Sequence, residues 1–163
     1  MPLTGKALRL GADLNTDVII PARFMQDWDR LGEHVFEGEG PDLPKRAKAS
    51  AFVVAGKNFG CGSSREQAVM AIKQAGIACV VAPSFARIFY RNAINLALPV
   101  LEADVDVADG ATLEVDLGSG RIVERATGRA WQARPLSAEA RAIVEDGGLI
   151  EHLKKKLGEK RGG

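Results

Sequence analysis

Two apolar runs of strand length, 51–55 (Ala-Phe-Val-Val-Ala) and 77–82 (Ile-Ala-Cys-Val-Val-Ala), flank a segment with apolar residues at Ala68, Ala71, Ile72 and Ala75. Runs of five or six residues without polar alternation mark strands covered on both faces, and the i, i+3, i+4, i+7 spacing between them marks an amphipathic helix. Gly76 is placed to end that helix as a left-handed cap. Strand, helix, strand closes as a right-handed parallel crossover, so the centre of the chain is α/β.

The flanks are less regular. An apolar segment at Leu8–Leu10 leads into a turn-forming stretch, 11–17, after which Val18-Ile19-Ile20 reads as a buried strand closed by Pro21. From Gln26 to Lys48 the chain is polar and interrupted by Gly38, Gly40, Pro41 and Pro44, which predicts a long loop with one short helix. A second helix is expected from Ser84, with Phe85, Ile88, Phe89 and Ala93 on one face, before a strand at 98–101. Beyond Asp109-Gly110, alternating segments separated by Gly118-Ser119-Gly120 predict an antiparallel β region. Ser137 caps a terminal helix, Gly147-Gly148 breaks it, and a basic amphipathic end carries Leu149, Ile150, Leu153 and Leu157, with fraying expected at 159–163. With 163 residues, 46% of them hydrophobic, the chain fits one domain, 1–163.

Lys and Arg total 22 against 21 Asp and Glu, so charge gives no reason to expect nucleic acid or an acidic membrane as partner. No stretch approaches the roughly 20 apolar residues of a membrane span, and no leader pattern opens the chain. A soluble cytoplasmic protein is expected. Two cysteines, Cys61 and Cys79, and two histidines, His34 and His152, are too few for a disulfide framework or a convincing metal cage.

Chemistry concentrates in 56–67, Gly-Lys-Asn-Phe-Gly-Cys-Gly-Ser-Ser-Arg-Glu-Gln, which joins a buried strand to a helix N-terminus. Glycines there allow close backbone approach, and free N–H groups with the helix dipole receive anions. Ser63 with Glu66, and Ser64 with Gln67, fit the capping-box spacing. Arg65 offers a planar fork suited to a carboxylate. Two readings follow: serines that cap the helix beside a solvated arginine, or a hydroxyl and a guanidinium that handle a carboxylate substrate. The segment lacks the third glycine of a dinucleotide fingerprint, the Lys-Ser/Thr of a phosphate loop and the Gly-x-Ser-x-Gly of hydrolases.

The stretch 56–66 resembles the signature of the small subunits of isopropylmalate isomerase and homoaconitase. Asn15-Thr16-Asp17-Val18-Ile19-Ile20-Pro21-Ala22-Arg23 and 84–95, Ser-Phe-Ala-Arg-Ile-Phe-Tyr-Arg-Asn-Ala-Ile-Asn, are similar to further family segments. The resemblance implies the swivelling β/β/α fold of the mobile fourth domain of aconitase, a mixed sheet with flanking helices. It also implies a large partner chain, in a heterodimer or heterotetramer, that carries a [4Fe-4S] cluster acting as Lewis acid on the leaving hydroxide. No metal is assigned to this chain. Ser63 is then the general base, and Ser64 and Arg65 bind substrate carboxylate. Arg23 and Gln26 fall in the segment that resembles the family's specificity loop. Gln26 is neither the arginine of homoaconitase-like chains nor the apolar residue of isopropylmalate-specific ones, so isopropylmalate, homocitrate and methylated malates all stay open. Gln67 stands where many members have His. Arg87 and Arg91 are weaker candidates for a carboxylate or the partner, Cys61 and Cys79 are structural, and His34 and His152 are expected in solvent. The reading is a hydro-lyase subunit of leucine biosynthesis, inactive alone. Its rivals are a free-standing anion-binding regulatory domain and a cluster-independent lyase, for which no complete catalytic set is present.

Overall fold

The structure, a computed structural model, describes residues 2–162, the side chains of 159–162 excepted. Where fraying was expected at 159–163 the backbone is helical through Gly162, and Gly163 lies outside the described residues.

Seven strands form one mixed sheet: β1 (Leu3–Arg9), β2 (Phe52–Val54), β3 (Cys79–Ala82), β4 (Val100–Glu102), β5 (Thr112–Asp116), β6 (Arg121–Glu124) and β7 (Ala130–Gln132). The order across the sheet is β4-β3-β2-β1-β5-β6-β7. The first four run parallel, with Leu8 beside Val53, Val53 beside Val80 and Val80 beside Val100. From β1 outward the pairing turns antiparallel, as the alternation after Asp109-Gly110 predicted.

Side chains of a strand alternate between faces, and the alternation here feeds two cores. Leu8, Val53, Val80 and Val100 pack with Ala68, Ile72, Phe89 and Ala93 of the helices. Their neighbours Phe52, Val54, Cys79, Val81 and Leu101 pack with Leu113, Val115, Ile122 and Ala133 from the antiparallel half. Neither β2 nor β3 has an exposed residue, which is why both read as unbroken apolar runs. An antiparallel bridge between Glu102 and Arg134 brings the two ends of the sheet together. The sheet thus folds over its own second core, with helices on its outer face, in the β/β/α layering anticipated.

The helices are α1 (Thr16–Ile19), α2 (Leu43–Lys48), α3 (Glu66–Gln74), α4 (Arg87–Asn95), α5 (Ala138–Glu145) and α6 (Leu149–Gly162). Residues 18–20 correct the sequence reading, because they belong to the one-turn helix α1 and its end and not to a strand. Asn15 caps that helix by accepting from Val18 N at 3.0 Å, and three apolar residues suit either state. The segment 26–48 is more regular than the predicted loop: a 3-10 turn at Ala22–Phe24 comes just ahead of it, and a second at Trp28–His34 lies within it before α2. Gln74 at the end of α3 pins it, donating to the Trp28 carbonyl (2.6 Å) and accepting from Gly32 N (2.9 Å). Helix α4 starts three residues later than expected. The Ser84 hydroxyl accepts from Asn58 N instead (2.8 Å), and Ile88, assigned to the inner face, is 52% exposed. Gly76, with φ +91°, ends α3 as predicted, and the Ser137 hydroxyl accepts from Ala140 N.

His152 also departs from expectation. It is buried, with Nδ1 2.7 Å from Asp146 Oδ2, and Lys155 pairs with the same carboxylate. The hydrogen bond from His152, followed by that from Lys155, holds Asp146 below its ordinary pKa of 3.8. A carboxylate depressed on folding stabilises the fold above its unfolded pKa, and that contribution disappears as pH falls through the folded value. Asp146→Asn is therefore expected to flatten the acid limb of the stability curve below about pH 4, measured by thermal unfolding across pH; an unchanged limb would remove Asp146 from the acid response.

Candidate active site

The loops that follow β1, β2 and β3 meet at the carboxyl ends of the parallel strands, the usual position of ligand sites in parallel sheets. They are 11–16, 56–65 and 84–86. Gly60 N donates to the Leu14 carbonyl (2.7 Å), Asp13 N to Lys57 O (2.8 Å) and Phe59 N to Ser84 O (3.1 Å). Beneath them Phe59 meets Phe89 edge-on at 5.2 Å and Phe85 at 6.0 Å. Gly60 has φ +82°, and a Cβ there would lie 2.2 Å from the Phe89 ring, so the turn needs glycine for both its backbone and its packing.

A cavity of about 190 Å³ opens at this junction, lined by Thr16, Gly60, Gly62, Ser63, Ser64, Arg65, Ala86, Arg87, Ile88 and Phe89. Ser63, Ser64 and Arg65 all line it. The capping boxes are not formed. Arg65, with extended φ −137° and ψ 111°, is the residue preceding α3, and no side chain caps the helix there. Gly62, just ahead of the two serines, has φ +93°. Both are exposed, and the one contact of Ser64 is a long 3.5 Å approach from Asn92 Nδ2.

The guanidinium of Arg65 is mostly buried and paired, not free in solvent. Its side chain is 16% exposed, Nη2 pairs with Asp17 Oδ1 at 2.5 Å and Nη1 points at the Ile20 carbonyl at 3.5 Å. The short helix α1 supplies Asp17, and Ile20 at its C-cap supplies the carbonyl. Thr16 escaped notice as a site residue although it sits in the motif Asn15-Thr16-Asp17; it is 2% exposed and donates from Oγ1 to the Ser63 carbonyl at 2.8 Å. Arg87, a weak candidate from sequence, does line the cavity, whereas Arg91 does not.

Arg23 and Gln26 do not join this cluster. Arg23 lies exposed with its guanidinium 4.6 Å over the Phe24 ring, Phe24 stacks on His34 at 3.5 Å, and Gln26 is exposed between the two 3-10 turns. His34 is only partly exposed and pairs with Glu37 (3.0 Å). Cys61 is half-buried beside the Asp13 carbonyl, and Cys79 lies inside the sheet, where burial pushes its thiol pKa up.

The sheet closes on itself with a serine pair and an Asp17-anchored arginine at its parallel end, and residues 30–104 match the family described as the aconitase C-terminal domain. The chain is 45% identical over 157 residues to the methanogen homoaconitase small subunit of Methanothermobacter thermautotrophicus, covering 95% of this chain and 92% of that one. It is 47% identical over 162 residues to the 3-isopropylmalate dehydratase small subunit of Methanosarcina mazei, covering 97% and 100%. The crystal structure of 3-isopropylmalate dehydratase from Methanocaldococcus jannaschii superposes with a TM-score of 0.93 at 42% identity, over 100% of both chains. The chain belongs to the family of small subunits of 3-isopropylmalate dehydratase and homoaconitase.

Proposed function

We propose that this chain is the small subunit of a hydro-lyase that dehydrates and rehydrates a hydroxy dicarboxylate of the 3-isopropylmalate type, in leucine biosynthesis, within the cytoplasm. The observation that carries this reading is the meeting, at one cavity, of two exposed serines that do not cap the helix and a guanidinium fixed by Asp17. The nearly full-length likeness to dehydratase small subunits supports it.

In this reading Arg65 holds a substrate carboxylate through its fork, with Ser64 beside it. Ser63 Oγ removes the proton from the carbon next to that carboxylate and returns it on rehydration. A serine is a very weak acid, so its ionised form needs the positive end of α3, the free amides of the glycine turn and Arg65 nearby. Arg65→Lys keeps the charge and loses the fork. It is expected to raise KM about tenfold, near 1.4 kcal/mol of binding, with a smaller change in kcat; an unaltered KM would move carboxylate binding elsewhere. Arg23 and Gln26 do not line the cavity and enter the proposal only as the specificity loop, where the neutral amide of Gln26 leaves homocitrate and methylated malates as neighbouring substrates.

The family's [4Fe-4S] cluster does not fit this chain. Among the described residues no three His, Cys, Asp or Glu side chains converge, and Cys79 is sealed in the sheet. The proposal therefore assigns the cluster to a larger partner chain, in a heterodimer or heterotetramer. Anaerobic affinity purification of this chain from its native cells is expected to bring down a larger chain with iron–sulfur absorption, and dehydratase activity only in the mixture. A colourless self-assembly that holds a small anion would replace the proposal with an anion-binding regulatory domain.

A further inference from the structure

A serine ahead of a helix is ordinarily fixed by its own hydroxyl, which accepts from a backbone N–H of the first turn. Here no such bond forms, so the backbone that carries Ser63 must be held by something else. It sits directly after Gly62, whose φ of +93° marks the most permissive residue type in the chain.

Thr16 supplies that hold. Its N–H donates to the Cys61 carbonyl at 2.9 Å and its Oγ1 donates to the Ser63 carbonyl at 2.8 Å, so one residue grips the turn on both sides of Gly62. Thr16 is 2% exposed and lines the cavity. It is also rigidly placed: it opens α1, Asn15 caps that helix through Val18 N, and Ile20 N donates to the Thr16 carbonyl at 2.9 Å. The next residue, Asp17, anchors Arg65. One turn of helix therefore sets both the backbone of Ser63 and the guanidinium two residues later.

We propose that Thr16 is a positioning residue for Ser63, its hydroxyl fixing the Ser63 carbonyl so that the Ser63 hydroxyl stays free and aimed into the cavity. This rests on the reading of Ser63 as general base. Without the Thr16 hydroxyl the Ser63 carbonyl loses its partner and the turn relaxes about Gly62. A misplacement of roughly 1 Å costs on the order of 10²-fold in rate.

The test compares Thr16→Val, Thr16→Ala and Thr16→Ser in the enzyme reconstituted with its large chain, with Ser63→Ala alongside. Thr16→Val and Thr16→Ala are expected to lower kcat about 10²-fold with KM within about twofold, and Thr16→Ser to restore most of kcat. Wild-type kcat in the valine variant, or no rescue by serine, overturns the assignment. So does loss of folding or assembly in both hydroxyl-free variants, which would make Thr16 an element of the fold. If Ser63→Ala itself keeps activity, the reading of Ser63 as base fails, whatever the Thr16 variants do.

Discussion

In the assembled enzyme, Ser63→Ala is expected to lower kcat by about 10³-fold while KM stays within a few-fold, the scale that a positioned general base contributes. The substitution is structurally clean. The tether on this residue runs through its carbonyl to Thr16 and not through its hydroxyl, and the side chain is exposed at the cavity. Removing Oγ therefore leaves the turn gripped, and the variant should assemble and melt like the parent. A variant that assembles and turns over at the parent's rate would remove Ser63 as base, and Ser64 would be the next residue to test.

The largest structural effect is expected from Gly60→Ala. A left-handed backbone costs a residue with a Cβ about 1–2 kcal/mol, and the new methyl would stand 2.2, 2.5 and 2.6 Å from three atoms of Phe89, which is 3% exposed. Overpacking of that kind costs typically about 1–3 kcal/mol more. A total of about 3 kcal/mol corresponds to a fall in Tm of roughly 10 °C for a chain of this size. Gly76→Ala separates the two contributions, since Gly76 has φ +91° and a Cβ added there would meet nothing within 4 Å. It should lose only the backbone part. Equal losses at the two positions would show that Phe89 yields and that the aromatic floor does not dictate glycine at 60.

The parts of this protein that could be read from sequence are those whose signal is local and long. The runs 51–55 and 77–82 with the intervening periodicity gave the crossover, because a strand covered on both faces has no polar alternation. The alternating segments after Gly110 gave β5 and β6 for the converse reason. Short signals failed. Val18-Ile19-Ile20 suits a strand or a single helical turn, and only Asn15 and the acidic Asp17 in the first turn tipped it to helix. At Ser63 and Ser64 a correct spacing misled, since a capping box needs helical backbone from the residue after the cap and Arg65 is extended. His152 was expected in solvent because it falls in a terminal helix, where exposure is the default, yet a carboxylate six residues back pairs with it. The roles of Thr16 and Asp17 lie in contacts across 47 and 48 positions of sequence, which no local pattern encodes. Ser63 and Arg65 themselves were found through family likeness more than through spacing.

The bridge from Glu102 to Arg134 has a further meaning for a chain read as half of an enzyme. An open sheet presents a row of unpaired amides and carbonyls at each border, a template on which other copies can stack into aggregates. Here the two bordering strands, β4 and β7, are short and their ends are drawn toward each other. A chain built this way offers other copies less free border on which to stack.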